Sequence, residues 1–193
     1  MERRATLVTP RLVLRPMTLE DAPHVQRLAG AREVASTTLN IPHPYEDGVA
    51  EKWIAKQAPA FAEGREATFA IVRREGVLFM GGIGLRIEPE HFRAELGYWI
   101  GVPYWGQGFA TEAGEAVLRY GFEELGLHRI HASHYRRNAA SGRVLQKIGM
   151  QYEGCRRGHV RKWGEFEDLE DYAILSSEWR MRQERDVGPE RAP

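Results

Sequence analysis

The stretch that most constrains this chain runs from Tyr104 to Ala113, reading Tyr-Trp-Gly-Gln-Gly-Phe-Ala-Thr-Glu-Ala. A strand-like run stops just before it and a helix-periodic run begins inside it. Gly106 and Gly108 let the backbone turn without Cβ clashes, so that successive N–H groups can point into one concavity. Ala110, Ala113, Gly114, Val117, Leu118, Gly121, Phe122 and Leu125 then recur at helical spacing. The free N–H groups of that first turn and the positive end of its dipole face the same concavity, which suits a phosphate or pyrophosphate. An ordinary strand-to-helix turn is the alternative for this segment taken by itself. No Lys-Ser/Thr pair follows the glycines and no third glycine completes a dinucleotide fingerprint.

The flanking chain reads as a single mixed domain. Arg11 to Arg15 alternate like a short strand stopped by Pro16, and Thr18 with Asp21 opens a helix striped by Ala22, Val25, Leu28 and Ala29. After a loop with Pro42, Pro44 and Tyr45, a second helix carries Val49, Trp53, Ile54 and Phe61. Strands are predicted over 67–72 and 77–87, joined by a turn at Arg74-Glu75-Gly76. Gly81, Gly82 and Gly84 mark a bulge or a close approach to the second of these. A strand over 94–100 places Glu95, Gly97 and Trp99 on one face and Leu96, Tyr98 and Ile100 on the other. Beyond the long helix come a strand over 128–134, a helix capped by Asn138 and ended by Gly149, and strands near 150–157 and 167–175. The tail after Met181 is charged and apolar-poor, so residues 181–193 are expected to be disordered.

Lys plus Arg is 27 and Asp plus Glu is 27, so the overall field favours neither nucleic acid nor an anionic membrane. One cysteine, Cys155, points to a reducing compartment, and no run approaches membrane-spanning or signal-peptide character. A soluble cytoplasmic protein is expected. His128, His131 and His134 fall on alternating faces of one strand, and no metal constellation emerges.

Several segments together resemble the GNAT superfamily of N-acetyltransferases, and its RimJ/RimL-type branch in particular. The glycine stretch resembles the coenzyme A pyrophosphate loop, Gln/Arg-x-x-Gly-x-Gly/Ala, matched at Gly108 and Ala110, with Trp105 in the Gln/Arg position as in that branch. The opening Thr-x-Arg-Leu-x-Leu-Arg-Pro, the Pro-x-Pro-Tyr of residues 42–45, the run from Asn138 to Met150, and Asp168, Tyr172 and Leu175 all resemble it too. The likeness spans roughly residues 9 to 178. It implies an α/β (α+β) domain over residues 1–180, with a strongly twisted mixed sheet of about seven strands flanked by helices. Its two central parallel strands splay apart to admit the pantetheine arm.

The resemblance also implies acetyl-CoA as co-substrate, without a metal. Ile100, Gly101 and Val102 would bind the pantetheine amides, Gly106, Gln107, Gly108, Phe109, Ala110 and Thr111 the pyrophosphate, and Asn138 the pantetheine near the thioester. Glu95 is a candidate general base, or else a salt-bridged strand residue. Ser141 is a candidate donor to the departing sulfur, replacing the tyrosine that many members carry where this chain has Leu145; alternatively its hydroxyl is satisfied within its own helix. Tyr45, Trp99 and Trp163 are candidate substrate contacts, with packing as the alternative for each. The implied acceptor is an amine, either a peptide N-terminus or a small molecule such as an aminoglycoside or polyamine. A non-catalytic acyl-CoA-binding module and assembly as a homodimer both stay open.

Overall fold

The computed structural model describes residues 4–187. In chain order the strands are β1 (Leu7–Val8), β2 (Leu12–Arg15), β3 (Glu66–Arg73), β4 (Leu78–Glu88), β5 (Arg93–Ile100), β6 (Arg129–Tyr135), β7 (Gln151–Lys162) and β8 (Glu165–Leu175). The helices are α1 (Ala22–Ala29), α2 (Arg32–Ser36), α3 (Val49–Ala62), α4 (Phe109–Arg119), α5 (Ala139–Lys147) and α6 (Ser176–Val187). All eight strands join one sheet in the order β1-β2-β3-β4-β5-β6-β8-β7. Every neighbouring pair is antiparallel except β5 and β6. The count is one above the seven expected, because the two-residue β1 is too short to leave a periodic signal.

Alternation along the strands divides the core between the two sheet faces. Leu12, Leu14, Phe69, Leu85, Leu96 and Ile130 pack against Val117 and Leu118 of α4, Leu145 of α5 and Ile148 just past its end. On the other face Ala70, Val72, Phe79 and Trp99 pack against Val25 and Leu28 of α1 and Ile54 of α3. The glycines of β4 serve this packing: a Cβ at Gly81 would lie 2.2 Å from the Trp99 carbonyl oxygen, and one at Gly82 would lie 2.8 Å from Met17 Cε. The close approach read from the sequence is therefore made by β5 and Met17.

The chain after Met181 departs from expectation. α6 runs through Val187, and disorder from residue 181 is corrected over 181–187; residues 188–193 lie outside the described residues. Trp179, only 2% exposed, anchors the helix in the core and stacks on Phe122 at 5.8 Å. Arg182 carries the contact onward, bonding Glu115 Oε1 at 2.8 Å and the Lys147 carbonyl at 3.2 Å. Composition misleads here because one buried tryptophan suffices to dock an otherwise polar helix.

Candidate active site

The two parallel strands pair for only three residues, Arg93 with Arg129, Ala94 with Ile130 and Glu95 with His131. Beyond Glu95 they diverge, so the facing backbone edges of 96–100 and 132–135 have no strand partner across the gap. An extended amide-bearing ligand can take up such edges as an added strand would. Gly97 sits beside the parting point, and a Cβ there would meet nothing within 4 Å. Gly101 donates to the Met80 carbonyl at 2.8 Å. The Ile100 carbonyl accepts from Trp105 Nε1 at 2.6 Å, so this oxygen, expected to bind an incoming amide, is held by the loop's own indole. Val102 is exposed at the mouth.

From there the chain enters the glycine loop. Gly106 (φ 73°) and Gly108 (φ 81°) both lie in the left-handed region, which explains their identity. Space beside Gly106 is open. Gln107, exposed, folds back along the loop, donating from Nε2 to the Pro103 carbonyl at 3.0 Å, and Phe109 is buried in the core beneath the loop. The main-chain N–H groups of Gly106 to Thr111 donate to no acceptor among the described residues. Loop and helix N-terminus thus form a cradle of free donors, which fits a pyrophosphate.

Sequence reasoning missed what braces this loop. Arg11 donates from its guanidinium to Glu112 Oε2 at 2.6 Å and to the Gln107 carbonyl at 3.0 Å, and its Cζ lies 4.6 Å from the Phe109 ring centre. Glu112 also accepts from the Thr9 hydroxyl at 2.6 Å and the Arg11 N–H at 2.8 Å. Burial would raise the Glu112 pKa, but these hydrogen bonds win and lower it. Arg11 belongs to the opening segment that carried the family likeness; its partner, 101 residues away, left no local signal.

Asn138 caps α5, its Oδ1 accepting from the Ser141 N–H at 3.2 Å. Its amide nitrogen is left to donate elsewhere. The Ser141 hydroxyl is not satisfied within its own turn: it meets the Tyr98 hydroxyl across the splay at 2.7 Å. Burial pushes the Tyr98 phenol up to about 12, outweighing the Ser141 bond, so it stays protonated near neutral pH. Tyr98 is thus a site residue that sequence analysis placed only by its strand face.

On the opposite face, past the ends of α1 and α3, the sheet carries a polar array. Glu95 lies here, one-third exposed and ion-paired with Arg86. Across from it stands His131, whose pKa burial lowers against the opposing pull of Glu95. Asp171 accepts from the Ser133 hydroxyl at 2.7 Å and from Arg156 at 2.6 and 2.7 Å. Burial raises the Asp171 pKa and these bonds overcome it, leaving it lowered. The three substrate candidates separate. Trp99 is 9% exposed and belongs to the second core, ring to ring with Phe79 at 6.0 Å, the packing role held as its alternative. Tyr45 packs against the second core, beside Gly30 at the end of α1. Trp163 is exposed at the β7–β8 turn, 5.8 Å from the His43 ring.

Contacts run in a ring around the mouth of the splay. Leu28 packs on Gly101 at the end of β5, and Tyr45 packs on Gly30. Lys162, the last residue of β7, donates to the Leu39 and Ile41 carbonyls at 3.1 and 2.9 Å. Arg137, just past β6, closes the circuit with the Ser36 carbonyl at 2.5 Å and Glu167 at 2.7 Å.

A splayed parallel pair leading to an anion cradle, with a hydroxyl pair above and a polar groove below, defines an acyl-CoA-dependent transferase. Comparison with known proteins gives the family. An acetyltransferase (GNAT) domain matches residues 11–151. The uncharacterized N-acetyltransferase p20 of Bacillus licheniformis is 35% identical over 176 residues, covering 90% of this chain and 98% of that protein. RimL, a ribosomal L7/L12 alpha-N-protein acetyltransferase solved with coenzyme A, superposes with a TM-score of 0.82 at 19% identity, covering 89% of this chain and 98% of that one. The spermidine N-acetyltransferase of Vibrio cholerae, solved with CoA and spermine, does so with a TM-score of 0.77 at 22% identity, covering 89% and 99%. These two likenesses are of fold. The chain belongs to the GNAT family and is an N-acetyltransferase; this family uses acetyl-CoA. No described helix is long and apolar enough to cross a membrane.

Proposed function

We propose that this enzyme acetylates the α-amine of a peptide or protein N-terminus by direct attack in a ternary complex. The observation that carries this reading is the charge of the acceptor groove. Glu95 is held by Arg86, Asp171 by Arg156, and Glu167 by Arg137. A polycationic acceptor requires unpaired carboxylates along its length, whereas a peptide requires one site for its amine and room for its chain. The paired array therefore favours the peptide over a polyamine or aminoglycoside.

Acetyl-CoA supplies the acetyl group as a thioester. The cradle from Gly106 to Thr111 holds the pyrophosphate, and the Asn138 amide and the unpaired edge of β5 hold the pantetheine. The amine nitrogen forms the new C–N bond as the C–S bond breaks. Glu95, released from Arg86 as the amine enters, takes the proton, and Ser141 donates to the sulfur that carries away the electron pair. Tyr98 positions Ser141 for this by donating to its oxygen.

The test is thiol release from acetyl-CoA against peptides, polyamines and aminoglycosides, with Glu95→Gln alongside. Peptide turnover that falls about a hundredfold in Glu95→Gln near neutral pH, and recovers as the amine itself loses its proton, is the expected result. Turnover confined to polyamines, or a Glu95→Gln enzyme of wild-type rate where chemistry is limiting, overturns the assignment.

A further inference from the structure

The mouth of the groove holds a positive charge that the protein leaves uncompensated. Lys162 is only 7% exposed, yet its ammonium meets two backbone carbonyls and has no carboxylate within ion-pair distance among the described residues. Burial lowers its pKa, and Arg137 lowers it further. A buried cation without an anion is costly, and neutral acceptors offset only part of that cost. An ammonium has three donors, and two carbonyls leave one of them unused.

The surroundings add positive charge. The Trp163 ring lies 5.3 Å from Lys162 Nζ and 5.7 Å from the Arg32 guanidinium carbon, with the His43 ring 5.8 Å away. Arg32 is exposed and has no ion-pair partner among the described residues. Arg137 is matched by Glu167, so Lys162 and Arg32 are the surplus. Lys162 belongs to the contact ring around the mouth, and Arg32 reaches the Trp163 ring beside it.

From this we infer that the acceptor carries a carboxylate besides its reacting amine, and that Lys162 and Arg32 bind it beside the Trp163 ring. The inference rests on the peptide-acetylating reading and deepens it by naming the class of acceptor. In a peptide the carboxylate would be an acidic side chain just after the N-terminal residue; in a small acceptor it would be that of an amino acid. A carboxylate arriving here gains charge-assisted hydrogen bonds in a partly dehydrated corner, a preference of about tenfold or more over the matching amide.

The experiment uses two matched pairs: a hexapeptide beginning Ala-Asp and its Ala-Asn counterpart, and free alanine with alanine amide. Each probe is followed by thiol release and, separately, by calorimetric titration into the CoA-loaded protein, so that binding is read without turnover. Acid-to-amide preference of about tenfold in the wild type, falling toward one in Lys162→Met and several-fold in the surface variant Arg32→Gln, supports the inference. The pair that shows the preference identifies the source of the carboxylate. Turnover of both members of each pair at equal kcat/KM leaves the acetylation reading standing and overturns this one. A Lys162-dependent binding preference without turnover does the reverse. Absence of binding and turnover with all four probes overturns both, and Arg32→Gln keeps the test decisive if Lys162→Met does not fold.

Discussion

Removing the Tyr98 hydroxyl tests whether the pair above the splay belongs to the chemistry. Tyr98→Phe keeps the ring that packs on the core and deletes one oxygen, 2.7 Å from Ser141 Oγ. At rest a buried neutral hydrogen bond contributes about 1 kcal/mol, so the variant should stay folded with a stability loss of that order. As charge builds on sulfur, the Ser141 donor and the phenol behind it become charge-assisted, worth about 1.5–3 kcal/mol, which translates to a fall in kcat of roughly 10- to 100-fold. The KM for acetyl-CoA should move little, because Tyr98 reaches the reacting atoms only through Ser141. Ser141→Ala should cost as much, and the double variant no more than the larger single one, since the two hydroxyls act as a unit.

The same residue gives a stability signature with a fixed sign. Its pKa rises from the 10.0 of a solvated phenol to about 12 when folded, the cause being burial, so the folded chain keeps a proton that the unfolded chain releases. The neutral phenol's contribution is therefore complete below pH 10 and is lost as pH rises through 12, a loss of about 2–3 kcal/mol over those two units. Urea unfolding at pH 8 and pH 11 should show the wild type losing more stability than Tyr98→Phe. A variant with wild-type kcat under chemistry-limited conditions, or with an alkaline loss equal to the wild type's, refutes the assignment of Tyr98.

Much of the fold was legible because its elements are periodic and their ends are punctuated. Gly106 and Gly108 announced the cradle since their left-handed φ angles favour glycine, and Asn138 announced the start of α5 by its side chain. The site partners were less legible, because they join distant segments. Alternation placed Tyr98 opposite Glu95 correctly, but nothing local shows that its hydroxyl crosses the gap to a serine 43 residues later. Likewise Glu95 and Arg86 pair across an antiparallel register fixed by the turn at Pro89–His91, and one-strand patterning does not reveal it. Alternation put Trp99 on the Glu95 face and left substrate contact and packing both open; how far α1 and α3 cover that face is a tertiary fact. Lys162 is the extreme case, a lysine in a charged hairpin that folding buries against the Leu39–Ile41 loop.

Three more outcomes follow from the packing and the loop. Gly108→Glu places a side chain and a negative charge in the cradle at a left-handed position, and should abolish measurable acetyl-CoA binding by calorimetry while circular dichroism stays native. Asn138→Ala removes both a helix cap, at a cost of about 1 kcal/mol, and a donor to the pantetheine, so acetyl-CoA affinity should fall more than kcat does. The last concerns α6. Truncation after Met181 deletes the Arg182 contacts with Glu115 and Lys147, partly exposed bonds worth about 0–1 kcal/mol, and should shift Tm by at most a few degrees with turnover unchanged. Trp179→Ala instead empties a core site and breaks the stack on Phe122, at a cost of about 3–5 kcal/mol and a Tm loss of roughly 6–20 °C for a chain of this length. The contrast separates a docked helix from a dispensable tail: equal losses from the two changes, in either direction, would mean that Trp179 is not what fastens α6 to the domain.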